Sequence, residues 1–276
     1  MNPNLSSVPV HSLWDSHRSC TACELRGLCQ GPVPGEGLVP SPTGLMLVGE
    51  APGKNEDRGG RPFIGAAGRE LEVYLWHDLG LRREDVFITN IVTCRPSGEG
   101  AKEDWKPKAT HIDICTGLWL EPTLWMVRPR VVLAVGAVSA AYFLGSGTTI
   151  GEVNGIPHEM KKVGDGGRGG YRDFTLVPSF HPAAALRSKG GAGLTMRYIH
   201  EAFAVAGRVL NGAYRVPRDE HPSPTYLRLN QANQESIKLM VDITETARSR
   251  GVIALDTETL PNGEVWCLSI SSIEGR

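Results

Sequence analysis

Four short apolar runs, LMLVG from Leu45, VFITNIV from Val86, VVLAVG from Val131 and FTLVPSF from Phe174, have the length of buried strands rather than of helices. Helical patterns lie between or after them. Ala66 to Leu79 places Leu71, Tyr74, Leu75 and Leu79 on one apolar face. DICTGLWLEPTLWMV reads as a helix with a kink at Pro122, a short helix follows Gly136, and TMRYIHEAFAVAGRVL forms the last one. Strands that are apolar throughout and alternate with helices predict an α/β fold: a central four-stranded parallel sheet flanked by helices on both faces.

Such a sheet dictates where chemistry can sit, because ligands bind beyond the carboxyl ends of parallel strands. Those ends carry GEAPG, Asn90 followed by IVTCRP, and SFHPAAALR, the least core-like stretches of the chain. The first opens GEAPGKNEDRGGRPFIG, a Gly-rich turn whose backbone N–H groups can approach a small planar ligand or a phosphate. Glu50 adds a carboxylate able to orient water or stabilise a developing positive charge. Phe63 is either a core residue or a ring on which a nucleobase stacks. Asn90 presents both a donor and an acceptor, as the edge of a pyrimidine requires, unless it bonds only backbone. His181, at the end of the last strand and before a Pro-initiated turn, faces the same edge as Glu50 and Asn90.

Six cysteines in a chain of this length suggest metal ligands or buried small apolar residues more than a disulfide framework. Cys20 and Cys23 form a CxxC, Cys94 follows the second strand, and Cys115 lies in the next helix. Two local and two distant thiolates can close a site that staples the N-terminal segment to the domain, and zinc or an iron-sulfur cluster would satisfy it equally. Cys29 is a further candidate nearby, and Cys267 is remote in sequence.

The net charge of -1 gives no global basic field, so any contact with nucleic acid falls to local Arg and Lys groups. No apolar run reaches membrane-spanning length, and MNPNLSSVPVHSLW lacks the pattern of a secretion signal, so a cytoplasmic, monomeric protein without a membrane partner is expected, in a bacterial cell or, for a viral protein, in the host cell. Residues 151–173, rich in Gly and charge, read as a mobile excursion or hairpin without chemistry. Three regions are expected: a domain over 1–212, a polar, Pro-containing linker over 213–224, and a short, incomplete second α/β segment over 225–276 with a helix, a strand bearing ALDTET and a further strand. The terminal IEGR matches a protease-recognition sequence used in recombinant expression, or is simply natural sequence.

Taken in order, CxxC at Cys20, GEAPG with EDRGGRPFIGAAG, VFITNIVTCRP, Cys115 upstream of RPRVVLAVG, and HPAAALR resemble the iron-sulfur uracil-DNA glycosylases of family four, over roughly residues 17 to 210. The resemblance implies a uracil-DNA-glycosylase-like fold acting on uracil-containing DNA. It implies that Cys20, Cys23, Cys94 and Cys115 hold a structural [4Fe-4S] cluster, with Cys29 the substitute for the fourth ligand. It implies that Glu50 orients water, with Gly49, Ala51 and Gly53 forming the turn that holds uracil. Phe63 would stack on the base, Asn90 read its edge, His181 bond its carbonyl, and Leu186 with Arg187 enter the duplex.

This sequence also departs from that pattern. The interval between Cys94 and Cys115 is longer than usual, predicting a surface insertion, and Thr93 stands where a Lys is frequent. A related branch that traps uracil covalently has a histidine in an Arg-rich inserted loop and Gln in place of Ala51; neither feature is found here, so turnover is expected. Downstream, VIALDTETLPNGEVWCLSIS is similar to the first motif of the 3'-5' exonuclease domains of family A DNA polymerases. There Asp256 and Glu258 would form a vestigial or incomplete divalent-metal pair without nuclease activity. Adjacency then suggests the N-terminal part of a replication polymerase. The competing expectation is a non-catalytic module that senses uracil for an attached polymerase; a zinc-stapled nucleotide-binding domain is the third.

Overall fold

The computed structural model describes residues 16–97, 106–161, 173–187 and 192–213, and the backbone of two strands, Ile253–Thr259 and Val265–Ser272. The chain divides into two compact units, Met1–Val216 and Pro217–Arg276.

The first unit is built on β1 (Leu45–Gly49), β2 (Phe87–Asn90), β3 (Val131–Val135), β4 (His158–Met160) and β5 (Phe174–Ser179), in the order β2-β1-β3-β5-β4. The first four of that order run parallel, and β4 pairs antiparallel with β5 at the edge. The four expected strands are therefore all present, and the Gly-rich excursion contributes a fifth. Its described part is the hairpin arm His158–Met160, while residues 162–172 lie outside the described residues.

Helices α1 (Lys54–Gly59), α2 (Ala66–Leu79), α3 (Ala109–Cys115), α4 (Glu121–Val127), α5 (Ala137–Leu144), α6 (Ile150–Val153), α7 (Pro182–Arg187) and α8 (Ala192–Leu210) complete the unit. The period-two alternation of β1 divides the core. Leu45 and Leu47 join Leu71, Tyr74, Leu75 and Phe203 of α2 and α8, whereas Met46 and Val48 join Leu120, Leu124 and Val127 on the other face. Because β1 and β3 are buried on both sides, their apolar runs are unbroken.

Two local expectations change. Residues 54–59 form the short helix α1 where only a Gly-rich turn was anticipated. The helix through Pro122 is not kinked there: a π-helical segment, Thr116–Leu120, joins α3 to α4, and Pro122 sits in the first turn of α4, where a missing N–H is tolerated.

In the second unit β6 (Ile253–Thr259) and β7 (Val265–Ser272) pair antiparallel, with Asp256 opposite Ser269 and Glu258 opposite Cys267. The anticipated linker, beyond Ala213, and the helix following it lie outside the described residues. Among the described residues, no helix is long and apolar enough to cross a membrane.

Candidate active site

Gly49 ends β1 and is paired in register with Asn90, which ends β2. A Cβ on Gly49 would lie 2.4 Å from Asn90 Oδ1 and 2.5 Å from Phe63 Cζ, so carboxamide and ring meet over bare backbone that only glycine provides. Asn90 is 3% exposed, and its carboxamide has no hydrogen-bond partner among the described residues.

Phe63 adopts φ 51, a left-handed conformation costly for a bulky side chain, and its surroundings over-determine it. The N–H groups of Ile64 and Gly65 donate to Glu56 Oε1 at 2.8 and 2.7 Å. From the other side Arg83 donates to the Phe63 carbonyl at 2.9 Å and to the Pro62 carbonyl. Arg83 is itself held by Glu36 at 3.0 Å and Glu72 at 3.3 Å. Below the turn, a Cβ on Gly68 would stand 1.9 Å from the Phe63 carbonyl oxygen, so α2 meets the turn in direct backbone contact.

His181 stacks on Phe63, with ring centroids 5.7 Å apart and planes at 24°, and packs against Gly136, whose φ is +101. The Ala183 N–H donates to His181 Nδ1 at 3.1 Å, which places the ring proton on Nε2. Burial, with the Arg187 charge, lowers its pKa to about 4, against a smaller opposing effect of Glu56. At neutral pH the group is thus an uncharged imidazole with a donor at Nε2. Its segment is fixed by Asn154, which accepts from the Phe180 N–H at 3.0 Å and donates to the Tyr198 carbonyl at 2.9 Å.

Glu50 is half-buried one residue beyond β1, and burial raises its pKa against the pull of Lys106 and Arg187. Arg187 thus acts electrostatically on both Glu50 and His181. Ala51 is half-buried, and Gly53 caps α1, where a Cβ would come within 2.9 Å of Glu56 Oε2. Leu186, 52% exposed, and Arg187 form the last turn of α7 rather than a loop.

The five described cysteines are free thiols, with Cys94 and Cys115 buried and Cys20, Cys23 and Cys29 half-buried. They share one electrostatic neighbourhood. Cys29 and Cys94 influence each other directly, which lowers the Cys29 pKa to about 7 and raises that of Cys94. Cys94 also feels Cys115 and Cys23, and Cys115, raised to about 11 by burial, feels Cys20 and Cys23. The Thr93 N–H donates to Cys115 Sγ at 3.4 Å.

Among the described residues, no three of these sulfurs lie within 4.8 Å of one another. Tetrahedral zinc, with bonds of about 2.3 Å, would need all four sulfurs roughly 3.8 Å apart. An iron-sulfur cluster interposes its own atoms and accommodates wider spacing. The gathered thiols therefore suit a cluster better than zinc, although they do not form a closed four-thiolate cage as they stand. Backbone bonds lace the same N-terminal segment to the domain, Val33 to Thr93 at 2.7 Å and Glu36 to Ile88 at 2.9 Å.

Glu56, Arg83, Gly68 and Asn154 escaped sequence reasoning. Glu56 had a faint signal as an acid in the first turn of a helix behind a Gly turn, and Gly68 as a glycine within a helical pattern. Arg83, one of two adjacent arginines in LRRED, had none.

Residues 36–205 match the family profile described as the uracil DNA glycosylase superfamily. The type-4 uracil-DNA glycosylase of Saccharolobus solfataricus is 37% identical over 176 residues, covering 62% of this chain and 74% of that protein. That of Pyrobaculum aerophilum is 36% identical over 184 residues, covering 65% and 86%. That of Thermotoga maritima is 35% identical over 173 residues, covering 62% and 80%.

Proposed function

We propose that this chain, which belongs to the uracil DNA glycosylase superfamily, excises uracil from DNA by hydrolysing the N-glycosidic bond, leaving an abasic site. The target nucleotide must first leave the base stack. Leu186, exposed at the end of α7, is suited to fill the gap, with Arg187 beside it for a phosphate. The extruded base stacks on Phe63, and the Asn90 carboxamide reads its edge. As the bond to C1′ breaks, the sugar becomes cationic and uracil departs with the bonding electrons. His181 Nε2–H donates to a uracil carbonyl oxygen as negative charge develops there, and Glu50 stabilises the sugar cation and orients the water that adds to C1′.

The observation that carries this reading is the convergence of the Asn90 carboxamide and the Phe63 ring over the bare backbone of Gly49. Cys20, Cys23, Cys94 and Cys115 are the residues we assign to a structural [4Fe-4S] cluster, with Cys29 available from its place in the electrostatic neighbourhood of Cys94. When bound, the cluster supplies cross-linking of the N-terminal segment rather than a chemical step. The second unit we assign to the start of an exonuclease-like domain of a replication polymerase, on the sequence motif at Asp256 and Glu258 and its place on a strand.

The test is excision from a single-uracil oligonucleotide scored by alkaline cleavage. Glu50→Gln and His181→Asn should each slow single-turnover excision by about 10²- to 10³-fold with little change in affinity for the uracil duplex. Wild-type protein that binds this duplex without cleaving it would remove the enzymatic reading.

A further inference from the structure

At the far end of α2, roughly 20 Å of helix away from Phe63, His77 and Asp78 meet His200 of α8. One donor atom from each lies within 4.8 Å of the others. Asp78 Oδ1 is 2.7 Å from His77 Nδ1, and its two oxygens are 2.9 and 2.8 Å from His200 Nδ1. Two imidazoles thus turn the same nitrogen to one carboxylate that is only 8% exposed, while the His77 side chain is 70% exposed and open to an incoming ion.

Tyr74 supplies an independent observation. One turn before Asp78 on the same helix face, it is 1% exposed, its ring meets His200 edge-on at 4.8 Å, and its hydroxyl is buried without a hydrogen-bond partner. An orphaned buried hydroxyl is destabilising unless something completes it.

We propose that His77, Asp78 and His200 form a binding site for a borderline divalent cation of the zinc and nickel class. Two imidazoles and one carboxylate are the ligand set such ions take, with remaining positions left to water. Coordination replaces Nδ1–H···O contacts by N–metal–O links, which requires nitrogen and oxygen to separate only slightly, to about 3.3 Å for bonds of 2.0 to 2.1 Å. The Tyr74 hydroxyl then bonds a metal-bound water. The C-terminal end of α2, with its outward carbonyls, further favours a cation. The bound ion ties α2 to α8 and has no part in excision.

Calorimetric titration of Ni²⁺, and separately Zn²⁺, into the full chain with its cysteine site loaded tests this. One equivalent should bind and raise the Tm, with affinity at least about 10-fold weaker in Asp78→Asn and His200→Gln. His77→Gln alters an exposed side chain, so it reports even if the other variants fold poorly, and it too should weaken binding. Undiminished binding in all the variants would put the ion elsewhere, and no binding by the wild type would equally overturn the proposal.

Discussion

Two ionisable groups at the cleft carry opposite pH signatures. Below 6.5 an unfolded His181 takes up a proton that the native ring refuses until about 4. In that window the unfolded chain binds more protons, so stability rises with pH and its loss on acidification begins below 6.5. Denaturant unfolding at pH 5 and pH 7.5 should show a smaller difference in His181→Asn than in the wild type. Glu50 works in reverse: its native carboxyl keeps a proton above the ordinary 4.5, so it subtracts stability as pH rises past that value. On the proposed role of Glu50 as a carboxylate, excision should gain over the same rise. Gly49→Ala is the sharpest steric probe, since its methyl would overlap Asn90 and Phe63 together. Single-turnover excision should fall by about 10²-fold, with the fold retained by circular dichroism. The positions of Glu50, Asn90 and His181 at the sheet's carboxyl edge were legible in sequence because each ends or closely follows an apolar strand. That Nδ1 of His181 is occupied by the Ala183 N–H was not, since no residue pattern encodes a tautomer.

At the scale of elements, the turn bearing Phe63 is locked between α1, α2 and the loop entering β2. Arg83 closes that lock by donating to two consecutive carbonyls while Glu36 and Glu72 hold it. Arg83→Ala should lower single-turnover excision by about 10- to 100-fold through misplacement of the ring. Hydrogen exchange at Ile64 and Gly65 should quicken, a change that loss of a surface charge alone would not produce. The four parallel strands and α2 could be read from apolar runs and periodicity because burial alone selects them. Helix α1 could not, because Gly53, Gly59 and Gly60 surround its polar residues with turn signals. The π segment was equally hidden: Pro122 announces a discontinuity, but the extra residue is inserted before it, at Thr116–Leu120.

For the molecule as a whole, the thiols are where the N-terminal segment, the end of β2 and α3 come together. Stripping iron with chelator and oxidant should bleach a brown protein and raise proteolytic cleavage within residues 16–36, while the amides of β1 and β3 stay protected. A colourless protein equally resistant before and after treatment would argue against the cluster. Cysteine spacing revealed which residues could gather, but not that Cys29 would pair with Cys94, a contact made by folding rather than by proximity in sequence. The order β2-β1-β3-β5 sets a timetable as well as a shape. Glu50, Asn90 and His181 lie at or just beyond strands that leave the ribosome far apart in time, and β5 docks on β3 only after the 38 residues between Val135 and Phe174 have been synthesised. Parallel pairings of this kind close late. A nascent chain arrested before His181 would carry the cysteines assigned to the cluster and most of the sheet, yet lack the group proposed to bond the departing base.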